Sequence, residues 1–323
     1  MAKKNVYELL DEIDNMIVEW EKRLLIHREN IENNNMTDEN LTALFNDLDF
    51  RSDNIMQSRL YENPIYNELV KTILKHREEL KPKIANIFGI NENELALFNQ
   101  VLSKEHKVAI GNNFEINTPG NYQIEEVFGN LRINCSDKEV KVNKLRTVSQ
   151  RLTANHTKIK GFPALENVYS ALSIDGALFK ELPNLKTTGT FSAQGAKLES
   201  VPELTHINGH ALFQHSRLKS TPKLTYIKYN ADISFTSIEE MDALEYIGSS
   251  IEAYCSAIKS MKNLKYIGHY GYFNLSKIEN LESLTDVGVA LIMSNEQLKN
   301  VKHIPESTKL KVKEYPRAKS LGE

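Results

Sequence analysis

The chain has little cysteine. Two residues in 323, Cys135 and Cys255, stand far apart, which excludes a disulfide framework and leads us to expect a reducing, cytoplasmic setting. Long apolar runs are missing too. No segment approaches the roughly 18 consecutive apolar residues of a membrane helix, so no membrane association is expected. The opening MAKKNVYELLDEIDNM lacks the apolar core and small-residue cleavage site of a secretory signal. An excess of one charge is absent: the net charge is −3. Residues 1–110 hold 14 Lys/Arg against 20 Asp/Glu, and the remainder 26 against 23. Neither part has the clustered Lys/Arg of a nucleic-acid footprint, so no nucleic-acid partner is expected. Catalytic signatures are lacking as well: there is no Walker motif, GxGxxG, GxSxG, HExxH or CxxC. No catalytic, cofactor-binding or metal-binding residue is expected.

What the chain does have is a repeat. Leucine-like anchors fall at Ile124, Leu145, Leu165, Leu185, Leu204, Leu224, Leu244, Leu264, Leu284 and Ile304, a spacing of 20 residues with one of 21 and one of 19. A second apolar column lies six residues earlier, from Ile159 and Phe179 to Ile278 and Leu298. A third lies three residues later, from Val127 and Val148 to Ile267 and Val287. Between repeats comes a period-two pair such as Leu172/Ile174, Ala211/Phe213 or Ile251/Ala253, as a short strand with one buried face requires. Glycine often precedes that strand (Gly129, Gly189, Gly209, Gly248, Gly268, Gly288), where a sharp turn with positive φ is expected. Pro163, Pro183, Pro202 and Pro222 sit two residues before the anchor and argue for extended or 3₁₀ segments there rather than helix.

The segment LSIDGALF, Leu172 to Phe179, resembles the LxxLxLxxNxL core of leucine-rich repeats, and the LPNL…LESVPELTHING register is similar to the short LP-rich repeats of many bacterial and bacteriophage proteins. The resemblance covers residues 120–310 and implies a right-handed parallel-β solenoid with a habit of protein binding. The usual Asn is replaced by Thr157, Ala177, Ala196, Ser216, Thr236, Ser256, Ser276 and Glu296, so any ladder there is a hydroxyl one with gaps.

Ahead of the repeat, residues 4–30 read as an amphipathic helix carrying Leu9, Ile13, Ile17, Trp20 and Leu24. A second helix is predicted from Thr37 to about Phe50 and a third from Pro64, with Leu69, Ile73 and Leu80. A fourth is predicted from Asn91–Glu94, with Leu95, Leu97 and Leu102. The expected class is therefore α+β: a helical domain at 1–112 that caps or oligomerises, a solenoid of about ten coils at 113–310, and a polar tail at 311–323.

Two surface columns are candidate sites for a protein partner. One is His206, Tyr226, Tyr246 and Tyr266, an aromatic ladder, weighed against a purely structural stack. The other is the outward strand face with Gln194, Gln214, Tyr254, Asn274, Leu212, Tyr272 and Ile292, weighed against a solvated sheet. His206, His210 and His215 occupy different columns and do not form a metal set. The expected function is a non-enzymatic protein-binding module, with self-association through the N-terminal helices as a further contact. The alternatives are a structural component of a larger particle such as a phage virion, and an effector that selects its target through the solenoid.

Overall fold

The computed structural model describes residues 88–97, 100–136, 138–301, 304 and 312–314, with eight single positions at 22, 23, 26, 29, 81, 82, 85 and 86. One coil explains the rest. Leu204 points inward, and His206–Ile207 then pairs in parallel with Thr187–Thr188 on one side and Tyr226–Ile227 on the other. After a bend, Ala211–Leu212 pairs with Phe191–Ser192 and Ala231–Asp232. A turn at Gln214–His215 leads to the return side, where Ser220 bridges to Ser200 and Glu240.

Repetition stacks these pieces into a parallel β-solenoid of about nine turns. The first ladder runs from Leu95–Leu97 through Val108–Ile110 and Glu126–Val127 to Asp286–Val287. The second runs from Gln100–Val101 through Phe114–Glu115 and Leu131–Arg132 to Leu291–Met293, and Val312–Glu314 adds a further rung. The third consists of single bridges from Glu181 to Asn280. All three predicted apolar columns line one continuous core: Leu165, Leu204 and Leu264 have no exposure, nor do Leu198, Ile238, Val168 and Ile247. No coil could bury that face alone, so each depends on its neighbours.

Two local expectations are refined. Gly129 has φ 151°, but Gly189, Gly209, Gly248, Gly268 and Gly288 do not adopt positive φ. Their reason is close approach. A Cβ on Gly268 would overlap the carbonyl oxygen of Gly248, and one on Gly288 would overlap that of Gly268. The hydroxyl column also behaves locally. Thr157, Thr236, Ser256 and Ser276 donate to the carbonyls of Ala154, Ile233, Ala253 and Phe273 at 3.0, 2.6, 2.9 and 2.7 Å. Each closes the turn of its own coil rather than reaching the next.

The α+β class is corrected. No N-terminal helical bundle is seen among the described residues, which are essentially a β-solenoid with one bounded α-helix, Asn295–Asn300 (α1). The first three predicted helices lie outside the described residues save for the eight single positions, whose backbone is helical. The fourth is a 3₁₀ turn, Glu92–Glu94, followed by the strand Leu95–Leu97 in register with Val108–Ile110. Short apolar runs do not reveal their period, and pairing with the next coil overrides local helix preference.

At the other end α1 replaces the turn of the last coil. Ser294 and Gln297 form a capping box at 3.2 and 3.0 Å. The Gln297 amide also donates to the carbonyls of Phe273 and Ser276, tying the helix onto the coil below. Leu298, Val301 and Ile304 pack on the core.

Candidate binding face

The second ladder and the turn after it present three outward columns, and their chemistry changes along the solenoid. In the N-terminal half the side chains bind one another. Asn134 donates to Asn117 at 2.7 Å, and Ser173 to Asn155 at 2.8 Å. The Asp175 carboxylate accepts from Ser192 Oγ at 2.6 Å and from the Gln194 backbone N–H at 2.8 Å. Gln194 is thus held in a coil-to-coil network instead of standing free. Gln214 and Asn274 each have an enclosed side-chain oxygen without a hydrogen-bond partner, and Asn274 is buried.

At the N-terminal end Arg132 and Arg151 line an open concavity of about 590 Å³ with Asn113, Asn130, Glu115 and Thr153. Farther on, one column runs Leu212, Asp232, Glu252, Tyr272 and Ile292 in direct register. Burial, and then the neighbouring Asp232, hold the Glu252 carboxyl above the ordinary carboxylate range. Burial, with Tyr270 and Glu252 nearby, pushes up the Tyr272 phenol. Neither Asp232 nor Glu252 has an ion-pair partner among the described residues. The return side is different: Lys186–Glu166, Lys219–Glu199, Lys223–Glu203 and Lys265–Glu245 pair one coil apart at 2.6–2.7 Å.

The turn beside this column carries a feature that the repeat pattern did not reveal. One residue per coil adopts the left-handed conformation: His156, Gly176, Gly195, His215, Phe235, Cys255 and Leu275, with φ from 51° to 66°. Glycine takes this conformation freely and larger residues do so at a cost. Yet Phe235 and Leu275 occupy it while 46% and 61% exposed, and Tyr254, next to Cys255, is 40% exposed. His215 stacks on Phe235 at 4.5 Å, and Phe235 meets Tyr254 edge-on at 5.4 Å. A continuous apolar, aromatic strip results. The dipeptides Asp175–Gly176 and Gln194–Gly195 were its legible signal; in later coils the glycine gives way and the signal vanishes.

The tyrosine column lies on the first ladder, around the bend from this strip. Tyr226, Tyr246 and Tyr266 stack at 4.9 Å with interplanar angles of 8° and 6°, and His206 tilts against Tyr226 at 5.9 Å. The ring faces are occupied by one another, leaving edges and hydroxyls outward. The structure therefore brings Tyr254, Tyr272, Leu212 and Ile292 onto one face and leaves His206, Tyr226, Tyr246 and Tyr266 on another. His206, His210 and His215 lie against Tyr226, Tyr229 and Phe235 respectively, each engaged by a different ring.

Among the described residues no helix is long and apolar enough to cross a membrane. Comparison with protein-family models, with curated proteins and with solved structures gives no match.

Proposed function

We propose that this protein is a non-enzymatic, leucine-rich-repeat-like binding module that captures another protein on the outer face of its solenoid, in the cytoplasm. The observation that carries the reading is the strip at Phe235, Tyr254 and Leu275. Phe235 and Leu275 hold a strained left-handed conformation while exposed, at a turn position that two earlier coils fill with glycine, Gly176 and Gly195. Strain kept without a gain in core packing points to use in contact. The leucine-rich-repeat likeness rests on the inward Leu172/Ile174 pair and Phe179, all in the core. The reducing setting rests on the two unpaired thiols, Cys135 and Cys255. The tyrosine ladder, whose rings already satisfy one another, belongs to the scaffold in this reading.

The test is a Phe235→Gly/Leu275→Gly variant of the full chain, used beside wild type as bait in native lysate and melted in parallel. The expected outcome is an unchanged or raised melting temperature, with loss of a polypeptide that wild type recovers in stoichiometric amount. Identical recoveries by both baits would overturn the reading.

A further inference from the structure

We infer that the segment captured by this face is basic, presenting a Lys or Arg side chain to Asp232 and Glu252 beside an apolar side chain that rests on Phe235, Tyr254 and Leu275. The inference rests on the binding reading above and names the chemistry of its partner.

Asp232 and Glu252 are direct register neighbours on adjacent strands, so their Cα atoms lie about 4.8 Å apart. Like charges so placed repel, and cross-strand acid pairs are unfavourable. On the return side of this solenoid a lysine one coil away offsets each of Glu166, Glu199, Glu203 and Glu245. On this face none does among the described residues. Among the described residues the Asp232 carboxylate accepts the Ser234 backbone N–H, at 2.9 Å, and no other hydrogen bond. The pair is bordered by rings: Tyr272 follows Glu252 in register, Tyr270 stacks on Tyr272 at 5.4 Å, and Tyr254 stands two residues beyond Glu252 on the same side of the strand.

Carboxylates flanked by tyrosine rings make an environment for an organic cation, through charge-assisted hydrogen bonds and the negative faces of the rings. A peptide cation that neutralises both acids removes their repulsion, which an anionic or neutral partner cannot do. The adjoining strip is apolar and uncharged, so the same segment needs a hydrophobic neighbour beside its cation. The combination selects a basic, apolar peptide over an acidic one.

The probe is a displayed library of short random peptides, selected in parallel on wild type, on Asp232→Asn/Glu252→Gln and on Phe235→Gly/Leu275→Gly, all as full chains with melting curves checked. The expected result is enrichment by wild type of sequences pairing Lys or Arg with an aromatic or aliphatic residue. The amide variant is expected to keep its fold, to lose the charge preference and to bind the leading wild-type peptide about tenfold or more weakly. Enrichment of apolar peptides with no charge preference, or of acidic ones, would overturn this inference and leave the binding module standing. Enrichment no greater on wild type than on the glycine variant would overturn both. Sedimentation of the same proteins covers a second copy as occupant. A wild-type dimer dissociated both by Asp232→Asn/Glu252→Gln and by Arg132→Gln/Arg151→Gln would assign the acidic pair to self-association and overturn the peptide assignment.

Discussion

At the scale of single residues, the left-handed turn column separates stability from use. Leu275 holds φ 57° at 61% exposure, a conformation costing a branched side chain about 1–2 kcal/mol relative to glycine. Leu275→Gly should therefore leave stability unchanged or raise it by up to about 1 kcal/mol, read as an unchanged or higher melting temperature. Gly176→Ala should do the reverse. Its φ is 66° and a Cβ there would overlap the His156 ring, so a fall in melting temperature is expected in the same assay. Glu252 adds a pH signature. Burial and Asp232 raise its carboxyl above the ordinary range, so the folded chain binds that proton more readily than the unfolded chain. Its contribution to stability grows as pH falls through the raised value and levels off below the unfolded carboxylate range, about 4.3. Glu252→Gln should therefore be more stable than wild type at neutral pH, and the gap should close on acidification, as read by melting curves across pH.

Among elements, the tyrosine stack and the terminal helix each make a distinct claim. Tyr246 has parallel rings on both sides at 4.9 Å, and aromatic pairs contribute about 0.5–1.5 kcal/mol each beyond area burial. Tyr246→Ala should destabilise the fold by about 1–3 kcal/mol in chemical denaturation while leaving partner capture intact. Loss of capture with an unchanged midpoint would return the ladder to the binding surface. In α1, Gln297 completes the capping box and carries the amide that holds Phe273 and Ser276. Gln297→Ala should cost about 2 kcal/mol, and hydrogen exchange should report the loss first in residues 270–293.

At the scale of the whole molecule, the described coils form a one-dimensional stack in which each pairs with the coils beside it. Exchange should be slowest at the backbone amides of central coils such as Lys228 and Gly248, which donate to Ile207 and Ile227 at 2.9 Å, and faster toward both ends. Close stacking makes the interior of the stack intolerant. Gly268→Ala meets the Gly248 carbonyl and should destabilise on the order of 3 kcal/mol, since neither backbone can retreat without breaking the ladder. The return-side Lys–Glu pairs are solvent-exposed, so added salt should shift the midpoint little.

The repeat was legible in the sequence because buried columns must recur at every coil. Leu204, Leu224, Leu244 and Leu264 show the 20-residue period and Ile207, Ile227, Ile247 and Ile267 the strand, and both fell in the core as the spacing demanded. Tyr254, Tyr272, Leu212 and Ile292 could be placed on a common face for the same reason. Tertiary structure alone decided the rest. Leu95–Leu97 became a strand because a neighbouring coil offers hydrogen bonds that a short apolar run cannot signal. The glycines before the strands serve close approach between coils, a distance absent from any single repeat. The strip of Phe235, Tyr254 and Leu275 beside Asp232 and Glu252, which have no ion-pair partner among the described residues, also arises only on stacking. Hydrophobic periodicity records what each coil must bury, whereas which exposed groups meet, and which charges lack a partner, depends on neighbours 20 residues away in the chain and one strand away in space.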